Sequence, residues 1–385
     1  MFITHLSGCT FTNLTVTATA ATGIGIDFLY DGTVIRDCRV VGCGRLNGGT
    51  LPGGAGIGIG TGARDVESFL VTGNHCAGNA RFGIFVESQT TRASTGGRIV
   101  ANTCVGNRHG IGDCGMAGTI VLGNTCVANV GSGIVVNTGT LSPLVSRDGQ
   151  VVANVSSDNG EHGILFDVTR GATGSEYVVR GNRCDGNGKA GIKLVSNATR
   201  AIAGVAVVDN DVHANGSLGV HVATAGAHAT DLTLTGNRCA GNGQTNTAGF
   251  TQGIRVDAST DRFTITGNAC WDNGSPPRQT YGVQLSAGAT FVDGHVAGNH
   301  VTGNAVGGLN LAGTLVGCRV TDNSGPELAV VGPLAPGPSP WTYTAGPAPE
   351  VLYLSGGSVR AVVKGGAQLA AATPVTVVLR PNEQV

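Results

Sequence analysis

The chain has 385 residues and a formal net charge of −1, with 12% charged and 4% aromatic residues. That near-neutral balance excludes the basic footprint of a nucleic-acid binder, and no run of about 18 apolar residues exists to form a membrane-spanning helix. The 65 glycines follow no three-residue period, which excludes collagen and fits a chain with many tight turns.

In chain order, the N-terminal stretch Met1-Phe2-Ile3-Thr4-His5 has neither a basic segment nor a long apolar run, so no secretory signal is expected there. Residues Gly8–Thr12 and Leu14–Val16 already read as strands, with no capping helix before them, and a partner or further domain is expected to cover that end. From Leu70 a unit becomes plain: LVTGNHCAGNARFGIFVE runs to Glu87 and returns as IVANTCVGNRHGIG from Ile99 and VRGNRCDGNGKAGIKL from Val179. A first Asn falls at Asn74, Asn102, Asn124, Asn154, Asn182, Asn210, Asn237, Asn268 and Asn299, with Cys9, Cys38 and Cys318 in the same slot of the outer repeats. These positions lie 19 to 36 residues apart, mostly near 28. A second Asn recurs from Asn79 to Asn242 and is expected to continue through Asn273, Asn304 and Asn323. A third column is small and apolar: Cys76, Cys104, Cys126, Ser156, Cys184, Val212, Cys239, Cys270 and Val301.

Each unit alternates apolar and polar residues with a period of two between Gly and Asn turns, which is a strand pattern. One such unit cannot bury its apolar side, so the units must stack. Stacking places like residues about 4.8 Å apart. A column of Asn then becomes a ladder of amide hydrogen bonds, and Asn tolerates the left-handed backbone of a corner. On these repeats the chain resembles the right-handed parallel β-helix family, the pectate-lyase-like solenoids. The resemblance implies an all-β solenoid of about 11–12 coils over residues 1–331. A Pro-rich linker, 332–349, holds six of the 13 prolines, and a β-rich tail, 350–385, follows it for packing or oligomerisation.

Strands of the form Gly-Ile-x-Val-x begin at Gly23, Gly56, Gly83, Gly110, Gly133, Gly163, Gly191, Gly219, Gly253, Gly282 and Gly308. Ile and Val face inward by alternation and the x residues form two outward columns on one face. One runs from Gly25 through Gly58, Phe85, Gly112, Val135, Leu165, Lys193, His221 and Arg255 to Gln284 and Asn310; the other holds Asp27, Gly60, Glu87, Cys114, Asn137, Asp167 and Asp257. Long loops at 44–54, 141–149, 243–251 and 275–280 border the face.

Three groups on this face carry candidate chemistry. Asp27 and Glu87 share a column two rungs apart, about 10 Å, a separation close to that of an inverting hydrolysis in which one carboxyl is the acid and the other activates water. Gly25, Gly58 and Gly60 beside them are expected to leave a trough for a sugar, with Phe85 stacking on its ring. Asp113 occupies a slot where other rungs place Val, Phe or Leu, and a carboxylate there must be held by a partner, expected to be Arg108 or His109. With Asp27 and Glu87 it forms a candidate catalytic trio. Lys193, His221, Arg255 and Asp257 form a basic strip that would bind an acidic polysaccharide or supply the base of a lyase. No metal-ligand spacing and no cofactor motif is present, and with no CxxC pair the 11 cysteines read as reduced, buried thiols.

The family includes polysaccharide lyases, glycoside hydrolases, uronate epimerases and phage tailspikes. Among these, the expectation is a tail spike or fibre-type virion protein that is made in a bacterial cytoplasm, assembles as a homotrimer with other virion proteins, and binds bacterial surface polysaccharide, with its cleavage by a hydrolase or lyase activity left open. A free carbohydrate-active enzyme (polysaccharide lyase, inverting glycoside hydrolase or uronate epimerase) and a non-catalytic spacer are the alternatives.

Overall fold

The computed structural model describes residues 2–29, 32–45, 53–137, 146–169, 174–224, 226, 228–245, 249–325, 338–345, 350–354, 361–364, 366–370, 375–379 and 383–385. These residues form an all-β parallel solenoid with no helix, followed by short antiparallel strands. No helix of the described residues is long and apolar enough to cross a membrane. Three parallel sheets run the length of the rod, with 12, 16 and 10 strands; the 16-stranded one is sheet 2 and the 10-stranded one sheet 3. The 12-stranded sheet, called sheet 1 here, contains every Gly-Ile-x-Val strand, from Ile24–Leu29 to Gly307–Leu311, and gains one more below them, Phe2–Leu6.

The register follows from what lies inside. Ile24, Ile57, Ile84, Ile111, Ile134, Ile164 and Ile192 stack in one file with 0% exposure. Each such side chain stabilises the fold by roughly 1.5–3 kcal/mol. A slip of one residue would turn the whole file to solvent. The Gly before each Ile marks the corner where sheet 3 turns into sheet 1. A Cβ on Gly83 would lie 2.8 Å from Cys104 Sγ and 2.8 Å from the Gly110 carbonyl oxygen. Backbone cannot move away there, so the corner admits only glycine.

The two Asn columns are the amide ladders expected of stacked repeats. Asn154 is typical. Its Nδ2 donates to Asn182 Oδ1 and to the Val121 carbonyl, both at 2.9 Å. Its Oδ1 accepts from the Asn124 backbone N–H at 2.8 Å and from Asn124 Nδ2 at 3.0 Å. Every donor and lone pair of a 1%-exposed amide is thereby satisfied. The left-handed corner, however, is not taken by these Asn residues. It is taken by the residue before each: Gly73, Ala101, Gly123, Ala153, Gly181 and Asp209 in one ladder, Gly78, Gly106, Ala128 and Asp158 in the other, all with φ between 53° and 66°.

Three positions differ from the repeat reading. Asn273 is exposed, and Gln279 takes its place, accepting from Asn242 and donating to Asn304 Oδ1 at 2.8 Å. The segment between them is an insertion held by Asp272, whose carboxylate accepts from the backbone N–H groups of Gly274, Arg278 and Gln279; the longer Gln side chain restores the reach. Asn323 closes the first ladder, accepting from Asn299, rather than the second. Cys318 stands outside that ladder and donates to the Phe291 carbonyl instead. Cys38 and Cys43 stand at the foot of the two ladders, their backbone N–H groups donating to Asn74 and Asn79 at 3.0 Å. The thiol column Cys76–Cys104–Cys126 stacks in register, and none of the 11 cysteines is in a disulfide.

Beyond residue 325, the strands Glu350–Leu354 and Val375–Leu379 pair antiparallel, as do Val362–Lys364 and Ala367–Ala370, around a small core of Ala345, Val362, Val377 and Leu379. The 331/332 boundary and much of the Pro-rich stretch lie outside the described residues.

Candidate functional site

The outward columns of sheet 1 stack as the alternation requires, Gly25 to Asn310 in one and Asp27 to Asp167 in the other. A third column, not anticipated from the sequence, precedes the corner glycines: Phe82 and His109, half-buried, then Ser132, His162, Ala190, Leu218 and Gln252, all buried. Its signal was present as the residue before each Gly-Ile, but its composition is too mixed to betray a face.

At the N-terminal third, Asp27 and Glu87 flank Gly60 as expected. Both are partly buried, and burial raises both carboxyl pKa values; Arg81 and Gln89 oppose this at Glu87, and Asp27 adds to it. Gln89 reaches Glu87 at 3.4 Å. The expected trough is filled. Asp27 lies over Gly60 and Thr22 over Gly58, so these glycines make room for neighbouring side chains rather than for a ligand. Phe85 stacks on Phe82 at 4.5 Å and Phe82 on His109 at 5.0 Å, the rings folding over Gly112. His109 Nδ1 accepts the Ser132 N–H at 3.0 Å, and burial lowers its pKa.

Asp113 is not on this face. It points into the rod between Val86 and Val136 with 0% exposure. Its partner is neither Arg108 nor His109 but Tyr177, whose hydroxyl donates to Oδ2 at 3.0 Å. Tyr177 is 64 residues away, so only the coiling of the chain brings it there. Burial pushes the Asp113 carboxyl up to about 6, against the Tyr177 bond and the nearby Thr119. Neither Asp113 Oδ1 nor Thr119 Oγ1 makes a hydrogen bond among the described residues.

The later rungs hold a built cluster. Lys193, His221 and Arg255 stack in one column, and Asp257 stands two residues beyond Arg255. His221 Nε2 lies 2.8 Å from Asp257 Oδ2. Arg255 Nε donates to Asp257 Oδ1 at 2.6 Å, and Ser286 Oγ donates to the same oxygen. Burial would raise the Asp257 pKa, but the bonds from His221, Ser286 and Arg255 outweigh it and hold the carboxyl far below its usual range. Asp257 is therefore ionised and accepts a hydrogen bond from His221 Nε2–H, which leaves the lone pair on Nδ1. Among the described residues nothing bonds Nδ1. His221 is 6% exposed, and burial lowers its pKa despite Asp257, so the ring is neutral.

The strip expected from the sequence thus divides into distinct roles. Arg255 is committed: besides Asp257 it donates from Nη1 to the Gly249 carbonyl and lies 4.7 Å from the Phe250 ring centroid. Phe250, missed in the sequence because it sits in a loop, also meets His221 edge-on at 5.9 Å. Lys193 makes no ion pair or hydrogen bond among the described residues. Burial and Lys189 lower its pKa against the pull of Asp167, Asp257 and Glu161. The outcome is a neutral base with a free lone pair directly above an unpaired, half-desolvated ammonium. No group of three or more His, Cys, Asp or Glu among the described residues is placed to hold a metal ion.

Residues 1–146 match the family model of the right handed beta helix region. No curated protein matches the sequence. Among solved structures, the chain is similar to the mannuronan C-5 epimerase AlgE4 A-module of Azotobacter vinelandii, at 16% identity and a TM-score of 0.54, over 83% of this chain and 84% of that one. It is similar to the periplasmic alginate epimerase AlgG at 14% identity and a TM-score of 0.53, over 81% and 76%. The Dettilon tailspike protein aligns at 15% identity and a TM-score of 0.48, over 93% and 67%. At these identities the likeness is one of fold, and the fold is the right-handed parallel β-helix.

Proposed function

We propose that this right-handed parallel β-helix binds and acts on an acidic polysaccharide laid along sheet 1, with the Lys193–His221–Asp257 cluster as its site. The observation that carries the reading is the 2.8 Å His221–Asp257 bond beside an unpaired Lys193. Two solved structures of the same fold are epimerases of mannuronan and alginate, which agrees with a uronate-containing substrate.

In this reading the Lys193 ammonium pairs with a sugar carboxylate, and His221 Nδ1 takes the proton from the adjacent ring carbon. The electron pair of that C–H bond moves into the carboxylate as an enediolate. It returns either to a proton delivered by solvent on the opposite face of the same carbon, while His221 passes the proton it removed to solvent, which epimerises the carbon, or to a C=C bond as the β C–O bond breaks. In the second case the departing oxygen takes the proton that His221 removed. Asp257 holds the imidazole tautomer throughout and balances its transient charge. Arg255 and Ser286 hold Asp257.

The test is an assay on uronate-containing polysaccharides, reading both unsaturated product and solvent deuterium incorporated beside the carboxylate. His221→Ala should abolish turnover and Lys193→Met should reduce it by ~100-fold or more, whereas Asp27→Asn and Glu87→Gln should remain active. Because the His221 pKa is lowered, the acid limb of the rate should fall below the ordinary histidine value of ~6.5. Turnover that survives His221→Ala, or that requires Asp27 and Glu87, would refute this assignment.

The same reading extends to a tail spike or fibre-type role, in which the chain is made in a bacterial cytoplasm and carried on a virion as a homotrimer with other virion proteins. What supports it is the C-terminal strand set, which leaves Val363, Leu369 and Val378 exposed at 44%, 49% and 63% around its small core. Covering such side chains is what a symmetric assembly does. That none of the 11 cysteines is in a disulfide agrees with folding in a reducing compartment. Light scattering should give three times the 38.4 kDa chain mass; a monomer would contradict the trimer.

A further inference from the structure

One buried titratable group near this site has no role in the chemistry above. His162 is 7% exposed and belongs to the unanticipated third column, one coil below Ala190 and one rung below Lys193. Its Nδ1 accepts the Ala190 backbone N–H at 3.2 Å. That bond fixes the tautomer and places the hydrogen on Nε2. Nε2 has no hydrogen-bond partner among the described residues and is not one of the fully buried unpartnered polar atoms, so it is open to a ligand. Lys193, Lys189 and His221 are near enough to act on the ring: burial first, then the two lysines, hold its pKa at about 3, with Glu161 opposing. His162 is therefore a neutral donor, not a member of a charge ladder.

We propose that His162 Nε2–H and the Lys193 ammonium together form the receptor for the substrate's anionic group, and that this group is a hexuronate carboxylate. The inference rests on the site assignment above and deepens it. A planar carboxylate has two oxygens to be met. Lys193 supplies one compact charge with donors, and His162 supplies a directional neutral N–H from the adjacent column. The nearby guanidinium, Arg255, is already committed to Asp257 and the Gly249 carbonyl, and Lys189 is paired with Glu161 at 2.8 Å, so among the described residues Lys193 is the free positive charge of the site. That suits a monoanion better than a phosphate dianion. It also sets the carboxylate below His221, so that the carbon bearing it lies toward the Nδ1 lone pair.

The test is an NMR titration of the full chain with D-glucuronate, with D-glucose and inorganic phosphate as controls, following the ring nitrogens of His162 and His221. Glucuronate should shift the His162 Nε2–H resonance; glucose should not, and phosphate should act more weakly. His162→Phe should weaken glucuronate binding by about tenfold without changing the melting temperature by more than the Gln variant does. His162→Gln, which keeps a side-chain N–H, should recover most of it. If glucuronate shifts His221 in a Lys193-dependent way while His162 is silent and His162→Phe binds normally, His162 is structural and this inference falls while the site assignment stands. If glucuronate shifts neither His221 nor His162 and Lys193→Met changes nothing, the site assignment itself falls. Tighter binding of phosphate than of glucuronate would overturn the choice of carboxylate.

Discussion

At the scale of single residues, the corners and the interior carry information of different kinds. The ladder Asn residues were legible because they repeat, but the left-handed conformation was assigned to them on propensity alone, and it belongs to the residue before. That residue is Gly in most coils, Asp at Asp158 and Asp209, and Ala at Ala101, Ala128, Ala153 and Ala214, the alanines with φ of 53° to 54°. A Cβ in this conformation costs about 1 kcal/mol. Ala153→Gly should therefore stabilise the chain by up to that amount, less the added entropy of the unfolded glycine. Chemical denaturation measures it; a clear loss of stability would mean the alanine methyl does more than tolerate strain. Asp113 makes the opposite point. Its oddity in an apolar file was visible, yet its partner Tyr177 was not, because nothing local links residues 64 apart. The folded pKa, raised to about 6, lies above the unfolded value of ~3.9. The folded chain holds this proton more tightly, so its contribution is full below pH ~4 and is lost as pH rises through about 6. The shift of roughly two units corresponds to about 3 kcal/mol. Melting temperature against pH should show this fall, and Asp113→Asn, which still accepts from Tyr177, should flatten it. An unchanged slope in the variant would place the proton elsewhere.

At the scale of the repeating element, the coil is held by paired ladders rather than by strand length, since many strands are only three residues long. Removing one rung orphans groups on both sides. In Asn187→Ala, the Asn159 backbone N–H and Nδ2 lose their acceptor, while the Ser156 carbonyl and Asn215 Oδ1 lose a donor. Each buried orphan costs about 1–3 kcal/mol, so a loss of at least about 3 kcal/mol is expected. Asn273→Ala, outside the ladder, should change stability by less than about 0.5 kcal/mol. Equal effects at the two positions would show that the ladder is decorative. The same pair shows where the repeat misleads. An Asn in the expected place is not a ladder member once an insertion shifts the coil, and Gln279 was invisible because it is a different residue type. Register in sheet 1, by contrast, was readable throughout, since every coil buries the same two positions, apolar in all but the coil that carries Asp113.

At the scale of the whole molecule, stacking turns sequence positions into a face, and the face was legible before its contents were. The outward columns could be written from alternation alone. Which members are surface charge and which are a site depends on neighbours that only the coil brings in. Phe250 and Ser286 convert a basic strip into a locked His–Asp pair, and His162 reaches it from a column that no pattern marked. Conversely, the glycines at 58 and 60 read as open space but are covered by Thr22 and Asp27. In the proposed function an acidic glycan lies across the later rungs of sheet 1. The most direct measurement is amide hydrogen exchange with and without a bound uronate-containing polysaccharide. Protection is predicted in Ile192–Ser196, Val220–Thr224 and Ile254–Val256 and in the described part of the loop at Gly249–Thr251, and it should vanish in Lys193→Met. Protection confined to Ile24–Leu29 and Phe82–Ser88, or to sheets 2 and 3, would contradict it.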